Sequence, residues 1–93
     1  VAYNLLTSDT RGSIEFVLME IPPQTFTADK EHHHTGEETS YVEYGDVDIW
    51  LNGEKFRLHA GDAIRIPAGT HHRWFNPGDE MVRVIFAVTP SSF

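Results

Sequence analysis

Apolar residues in this chain alternate with polar ones or come in short runs, and no stretch holds the spacing of a long amphipathic helix. Phe16-Val17-Leu18-Met19-Glu20-Ile21 is one run, stopped by Pro22-Pro23; Tyr41 to Tyr44 is another, stopped by Gly45-Asp46. Val47 to Leu51 alternates until Asn52-Gly53. That pair predicts a hairpin, because a type I′ turn needs positive φ at both central residues. Phe56 to His59 follows, then Ala63 to Ile66 closed by Pro67-Ala68-Gly69, then His72 to Phe75 closed by Asn76-Pro77-Gly78-Asp79. Met81 to Val88 comes last, with Val82, Val84, Phe86 and Val88 on one face. Short alternating strands separated by frequent turn signals predict an all-β sandwich or barrel. The least structured stretches are expected at Thr7 to Gly12 and Pro90 to Phe93.

The length, 93 residues, fits one domain spanning 1–93. Seven Lys+Arg stand against 14 Asp+Glu, a net charge of −7. Such a surface repels phosphate, so no direct nucleic-acid contact by this chain is expected, and no anionic membrane surface either. There is no cysteine, which excludes disulfides and thiolate chemistry. No apolar run approaches the ~20 residues of a membrane span, and no basic-then-apolar opening marks a signal peptide. The cytoplasm is the default expectation. The chain opens on Val1, which implies a removed initiator or a piece of a longer protein.

Five of the six histidines fall in two clusters, His32-His33-His34 and His71-His72. On an extended strand side chains repeat every second residue, so His32 and His34 point together and His33 points away. Glu38 has the same parity, with Thr35-Gly36 expected to bend the chain between them. Of His71 and His72, only one can share that face. Three imidazoles and one carboxylate suit a borderline divalent transition metal: iron, manganese, nickel, zinc, cobalt or copper. Four protein ligands on an octahedral ion leave open positions, which distinguishes a working site from a structural one.

The segment His32-x-His34-x-x-x-Glu38-x6-Gly45 resembles the first signature motif of the cupin superfamily at every defined position. Gly61-x5-Pro67-x-Gly69-x-x-His72-x-x-x-Asn76 resembles the second in the same way. The resemblance implies a small antiparallel jelly-roll β-barrel, a homodimer, and His32, His34, Glu38 and His72 as ligands of one divalent transition metal ion. It selects His72 where parity alone leaves His71 open. Gly45, Gly61, Pro67, Gly69 and Asn76 then carry structural roles in the turns. For a ligand pocket beside the metal, Trp74 shares parity with His72, and Phe16, Trp50 and Phe86 are further aromatic candidates. Arg65, Arg73 and Arg83 sit in strands and are expected to face solvent, as are Glu37, Glu43, His59 and His71.

Three stretches narrow the resemblance further. They are Tyr41 to Leu51, Gly69 to Glu80 and the ending Val88 to Phe93. They are similar to the C-terminal cupin of bacterial transcription regulators that carry an N-terminal helix-turn-helix. In that case the chain is a small-molecule sensor, and DNA is met only through a missing N-terminal domain. The alternative is a stand-alone cupin metalloenzyme of dioxygenase, isomerase or decarboxylase type, since all four ligand positions are retained. No unliganded general base is evident; Tyr3, Tyr41 and Tyr44 are the candidate proton donors. A metal- or sugar-binding module without catalysis is the third reading.

Overall fold

A computed structural model describes residues 1–9, 11–30 and 36–90. Among them every regular element is a strand: β1 (Ala2–Leu5), β2 (Glu15–Ile21), β3 (Glu37–Tyr44), β4 (Val47–Leu51), β5 (Glu54–Leu58), β6 (Ala63–Ile66), β7 (His72–Phe75) and β8 (Val82–Thr89). No helix among them is long and apolar enough to cross a membrane. The strands form a five-stranded sheet in the order β1-β2-β8-β3-β6 and a three-stranded sheet in the order β5-β4-β7. All pairings are antiparallel. The chain alternates between the sheets as a small jelly-roll barrel, the expected fold class.

The alternation read from the sequence becomes the division between inside and outside. Val17, Met19 and Ile21 of β2, Val82, Val84, Phe86 and Val88 of β8, and Val42 of β3 are buried along the inner face of the larger sheet. Ile66 of β6 joins them; Val47 and Ile49 of β4 and Trp74 of β7 close the core from the smaller sheet. On the outer faces, ion pairs replace apolar contact: Arg65 Nε donates to Glu37 Oε2 at 2.6 Å and Arg83 Nε to Glu43 Oε2 at 2.7 Å. Those four residues face outward as expected, and exposed pairs of this kind contribute little stability.

Two turns show why particular residues are needed. The β4–β5 hairpin turns at Asn52 and Gly53 with φ of 48° and 85°, the type I′ geometry expected of that pair. Gly45, between β3 and β4, has φ of 91°, and a Cβ there would stand 2.9 Å from Cγ2 of buried Val82. Both the backbone and the space therefore demand glycine.

The structure differs from the sequence reading at the chain's beginning. β1 was not expected: Ala2–Leu5 is an edge strand exposed along its whole length, so it carries no clean inside–outside pattern. β3 begins at Glu37 rather than Tyr41. Thr7 to Gly12 contains no strand among its described residues, Thr10 lying outside them, and 91–93 also lie outside them.

Asn76 ties three segments together at the end of β7. It is fully buried, its Nδ2 donates to the carbonyls of Ile21 (2.8 Å) and Glu80 (2.6 Å), and its Oδ1 accepts from Gly78 N–H at 2.9 Å. Asn76→Ala would strip a buried carbonyl, that of Ile21, and a part-buried one, that of Glu80, of their donor at once. The expected cost is about 2–4 kcal/mol, read as a lower urea midpoint at unchanged denaturant slope.

Candidate metal centre

Among the described residues, the buried inward-facing titratable side chains gather at the end of the barrel opposite Asn76. There, Glu38 and Ser40 face inward from the start of β3, and His72 faces inward from the start of β7. The topology explains how two sheets supply one locus. Glu38 pairs with Ile66, the last residue of β6. Pro67 to His71 then form the short turn that leads into β7, with Gly69 at φ 79° and Thr70 N–H donating to Pro67 O at 3.1 Å. A tight turn immediately after Glu38's cross-strand neighbour carries the chain to His72 in the opposite sheet.

Both side chains are withdrawn from water, each 3% exposed. Burial pushes the Glu38 pKa up to about 7, against the opposing pull of the Ser40 hydroxyl, which donates to Glu38 Oε2 at 3.0 Å. His72 Nδ1 lies 3.2 Å from the carbonyl oxygen of Thr70. A carbonyl only accepts, so Nδ1 carries a proton, and in the neutral imidazole Nε2 is then the acceptor nitrogen. A buried carboxylate and an imidazole oriented through a backbone carbonyl are the donor chemistry and outer-shell support that a divalent metal site uses. These two residues fit a metal.

His32 and His34 lie outside the described residues, so among the described ones no group of three or more metal-ligating side chains occurs. Residues 24–27 run along the free edge of β7: Gln24 N–H donates to Asn76 O, Asn76 N–H to Thr25 O, Thr27 N–H to Trp74 O, and Trp74 N–H to Thr27 Oγ1. Arg73 Nη1 then holds the Asp29 carbonyl at 2.8 Å, next to His72 in sequence.

The aromatic candidates divide. Trp74 and Phe86 are buried on the inner faces, at 3% and 4% exposure. Phe16 and Trp50 do not line the interior. Phe16 alternates with inward Val17 and is 43% exposed. Trp50 alternates with inward Ile49 and lies on the outer face of the smaller sheet, with its ring centroid 5.6 Å from that of Phe26 and under the Arg73 guanidinium. Covering by the 24–27 segment made an outer position look like core. Of the motif residues, Gly45, Gly61 and Gly69 all have positive φ. His59 and His71 are exposed as expected, His59 Nδ1 lying 2.8 Å from Asp46 Oδ1.

Sequence reasoning passed over Asp48. It is 2% exposed, yet it faces the outside, where Arg57 Nε donates to it and Lys55 Nζ stands at 3.5 Å. Its parity with Trp50 and against Ile49 was the available signal.

A model of the cupin domain matches residues 17–88, more than half of the chain. The chain belongs to the cupin domain family. Among relatives, the polyketide synthase CurC of Streptomyces cyaneus is 41% identical over 61 residues, covering 64% of this chain and 40% of that protein. The HTH-type transcriptional regulator PuuR of Escherichia coli K12 is 34% identical over 71 residues, covering 76% of this cupin and 38% of PuuR. The cupin thus spans about two-fifths of the length of these curated relatives. A Cupin 2 conserved barrel domain protein from Salinispora arenicola CNS-205 superposes with a TM-score of 0.82 at 22% identity, over 96% of this chain and 75% of that one. That likeness is one of fold.

The buried acid makes the stability of the metal-free cupin depend on pH. The folded-state pKa, about 7, lies above the ordinary value of 4.5, so the folded form binds the proton more tightly. This contribution is full below pH 4.5 and fades as pH rises to 7, by about 3 kcal/mol in all. Glu38→Gln removes that dependence. In metal-free urea titrations the variant is expected to exceed wild type at pH 8, with its advantage shrinking toward pH 4.5.

Proposed function

We propose that this cupin is the small-molecule sensing domain of a bacterial helix-turn-helix regulator, built around one divalent transition metal held by His32, His34, Glu38 and His72. The observation that carries the regulatory reading is the similarity to PuuR across three-quarters of this chain. The metal reading is supported by the two buried donors, Glu38 and His72, at one end of the barrel, and by the completeness of both sequence motifs. The chain acts as one cupin domain, and DNA contact belongs to a separate N-terminal part. A net charge of −7 on the sensor is consistent with that division.

A divalent metal held by these residues would supply a Lewis-acidic centre for a small polar ligand. The residues of this chain do the rest. Glu38 provides negative charge from a dry site, the Thr70 carbonyl orients His72, and Trp74 and Phe86 supply apolar walls. Effector binding shifts the arrangement of a homodimer to the extent that it binds the two arrangements unequally. Edge strand β1, exposed throughout and free of charged residues, is a surface on which subunits can meet.

An enzymatic reading has one specific support, the similarity to CurC, whose name is that of a biosynthetic enzyme. The two readings separate on the natural full-length protein. As a regulator, it retards a DNA fragment from upstream of its own gene in a gel-shift assay. An absence of retardation, with oxygen uptake or turnover of a diketone substrate, favours the enzyme instead.

Metal content tests the site itself. Wild-type protein purified without affinity resin is expected to hold about one transition-metal ion per chain. His72→Ala and Glu38→Ala are each expected to lower the affinity at least about tenfold, by competition with a chromogenic chelator. Equal metal content in all three proteins would refute the ligand set.

A further inference from the structure

Arg73 differs from the other described arginines. Arg11, Arg57, Arg65 and Arg83 each meet a carboxylate. What Arg73 holds, among the described residues, is a backbone carbonyl and two aromatic faces. It pairs with Trp50 across β7 and β4, so both side chains stand on the outer face of the smaller sheet. Its guanidinium carbon lies 4.3 Å from the ring centroid of Phe26 and 5.1 Å from that of Trp50. Both distances are within cation–π range. Phe26 in turn packs on Phe75, with ring centroids 4.3 Å apart, and the two residues form a backbone bridge. From this seat Arg73 Nη1 donates to the Asp29 carbonyl at 2.8 Å.

These contacts follow an order along the chain. Residues 24–27 are fastened to the edge of β7 by backbone hydrogen bonds, ending with Thr27 N–H to Trp74 O. Arg73 then takes over at Asp29, where its partner is the backbone itself. A guanidinium can stack and donate at once, because its donors lie in the plane of the group and leave its faces free. Successive side chains of a strand point to opposite faces: Arg73 points outward, and buried His72 points into the barrel. Their Cα atoms are about 3.8 Å apart. The side chain that ties Asp29 down therefore stands back to back with one of the two buried donors. Asp29 precedes His32 by three residues in the sequence, a stretch that reaches at most about 11 Å.

We propose that Arg73 is a positioning residue for the metal centre: by holding the Asp29 backbone beside β7, it fixes the point from which the first histidine motif sets out. This rests on the metal reading above. Fastening the chain there before a metal arrives reduces the ordering entropy that metal binding must offset. Arg73, Phe26 and Trp50 occupy no defined position of either sequence motif, so the motifs alone do not reveal this support.

The test is a Co2+ titration of this chain in competition with a chromogenic chelator. Arg73→Met keeps the stem and removes the charge and the donors; its Co2+ affinity is expected to fall about tenfold, the lower end of what lost outer-shell support costs. Arg73→Lys keeps the charge without the planar fork and is expected to recover part of that loss. Arg83→Met, which removes a cation from the outer face of the larger sheet, is expected to bind Co2+ as wild type does. In the metal-free proteins a lysine-specific protease is expected to cut after Lys30 faster in Arg73→Met than in wild type, relative to cleavage at Lys55. A merely stabilising arginine would lower the urea midpoint and leave Co2+ affinity and that cleavage ratio unchanged. If the wild-type protein forms no Co2+ complex, the metal reading falls and this role with it. If it forms the complex and Arg73→Met binds Co2+ equally tightly, the role of Arg73 alone is overturned. Should Arg73→Met fail to fold, Phe26→Leu, which removes the exposed ring under the guanidinium, carries the same test, and Co2+ affinity equal to wild type overturns the proposal.

Discussion

A carboxylate buried in an apolar barrel constrains this molecule more than any other group. Full ionisation of Glu38 in a site 3% exposed carries a large desolvation cost. The cost is met by a proton or by nearby positive charge. The structure contains a comparison case in Asp48, which is just as deeply buried. Asp48 faces outward and is met by Arg57 and Lys55, long side chains that keep their charged heads near water. Every described lysine and arginine lies outside the buried set, whereas His72 is buried with Glu38 on the inner faces. The two acids illustrate two solutions to one problem: a structural ion pair at the outer surface, and inside the barrel a carboxyl group whose burial lifts its pKa to about 7.

The arrangement of the sheets follows from delivering that acid and an imidazole to the same end. Glu38 comes from the larger sheet and His72 from the smaller, and the turn from Pro67 to His71 connects them through Ile66, the cross-strand neighbour of Glu38. The strapping of residues 24–27 along β7 covers an edge that would otherwise be open, and the Arg73 contact with Asp29 continues it toward His72. At the far end, Asn76 locks the β7–β8 turn to the end of β2. The polar end is thus set on a framework whose other end is fastened by buried hydrogen bonds.

Much of the fold was legible because burial in a two-layer β-structure imposes a period of two. β2, β4, β6, β7 and β8 were read close to their observed bounds, and the Asn52-Gly53 hairpin followed from backbone sterics alone. β1 was not legible: a strand exposed on every residue has no alternation to detect. The inward or outward phase of aromatic residues was equally hidden. Trp74 and Trp50 both stand in alternating strands, but one fills the core while the other lies outside against Phe26 and Arg73. A local pattern shows that faces alternate without showing which face a distant segment will cover.

The order of residues by itself determined an all-β chain, the positions of its tight turns, and the pairing of a histidine-and-glutamate motif with a second histidine motif. Each of these depends on backbone conformation or spacing within a few neighbouring positions. Only the tertiary structure decided that Glu38 and His72 are buried at one end of the barrel and that Phe16 and Trp50 face outward. Those outcomes depend on how the sheets curl and close, which is set by contacts between residues far apart in the chain.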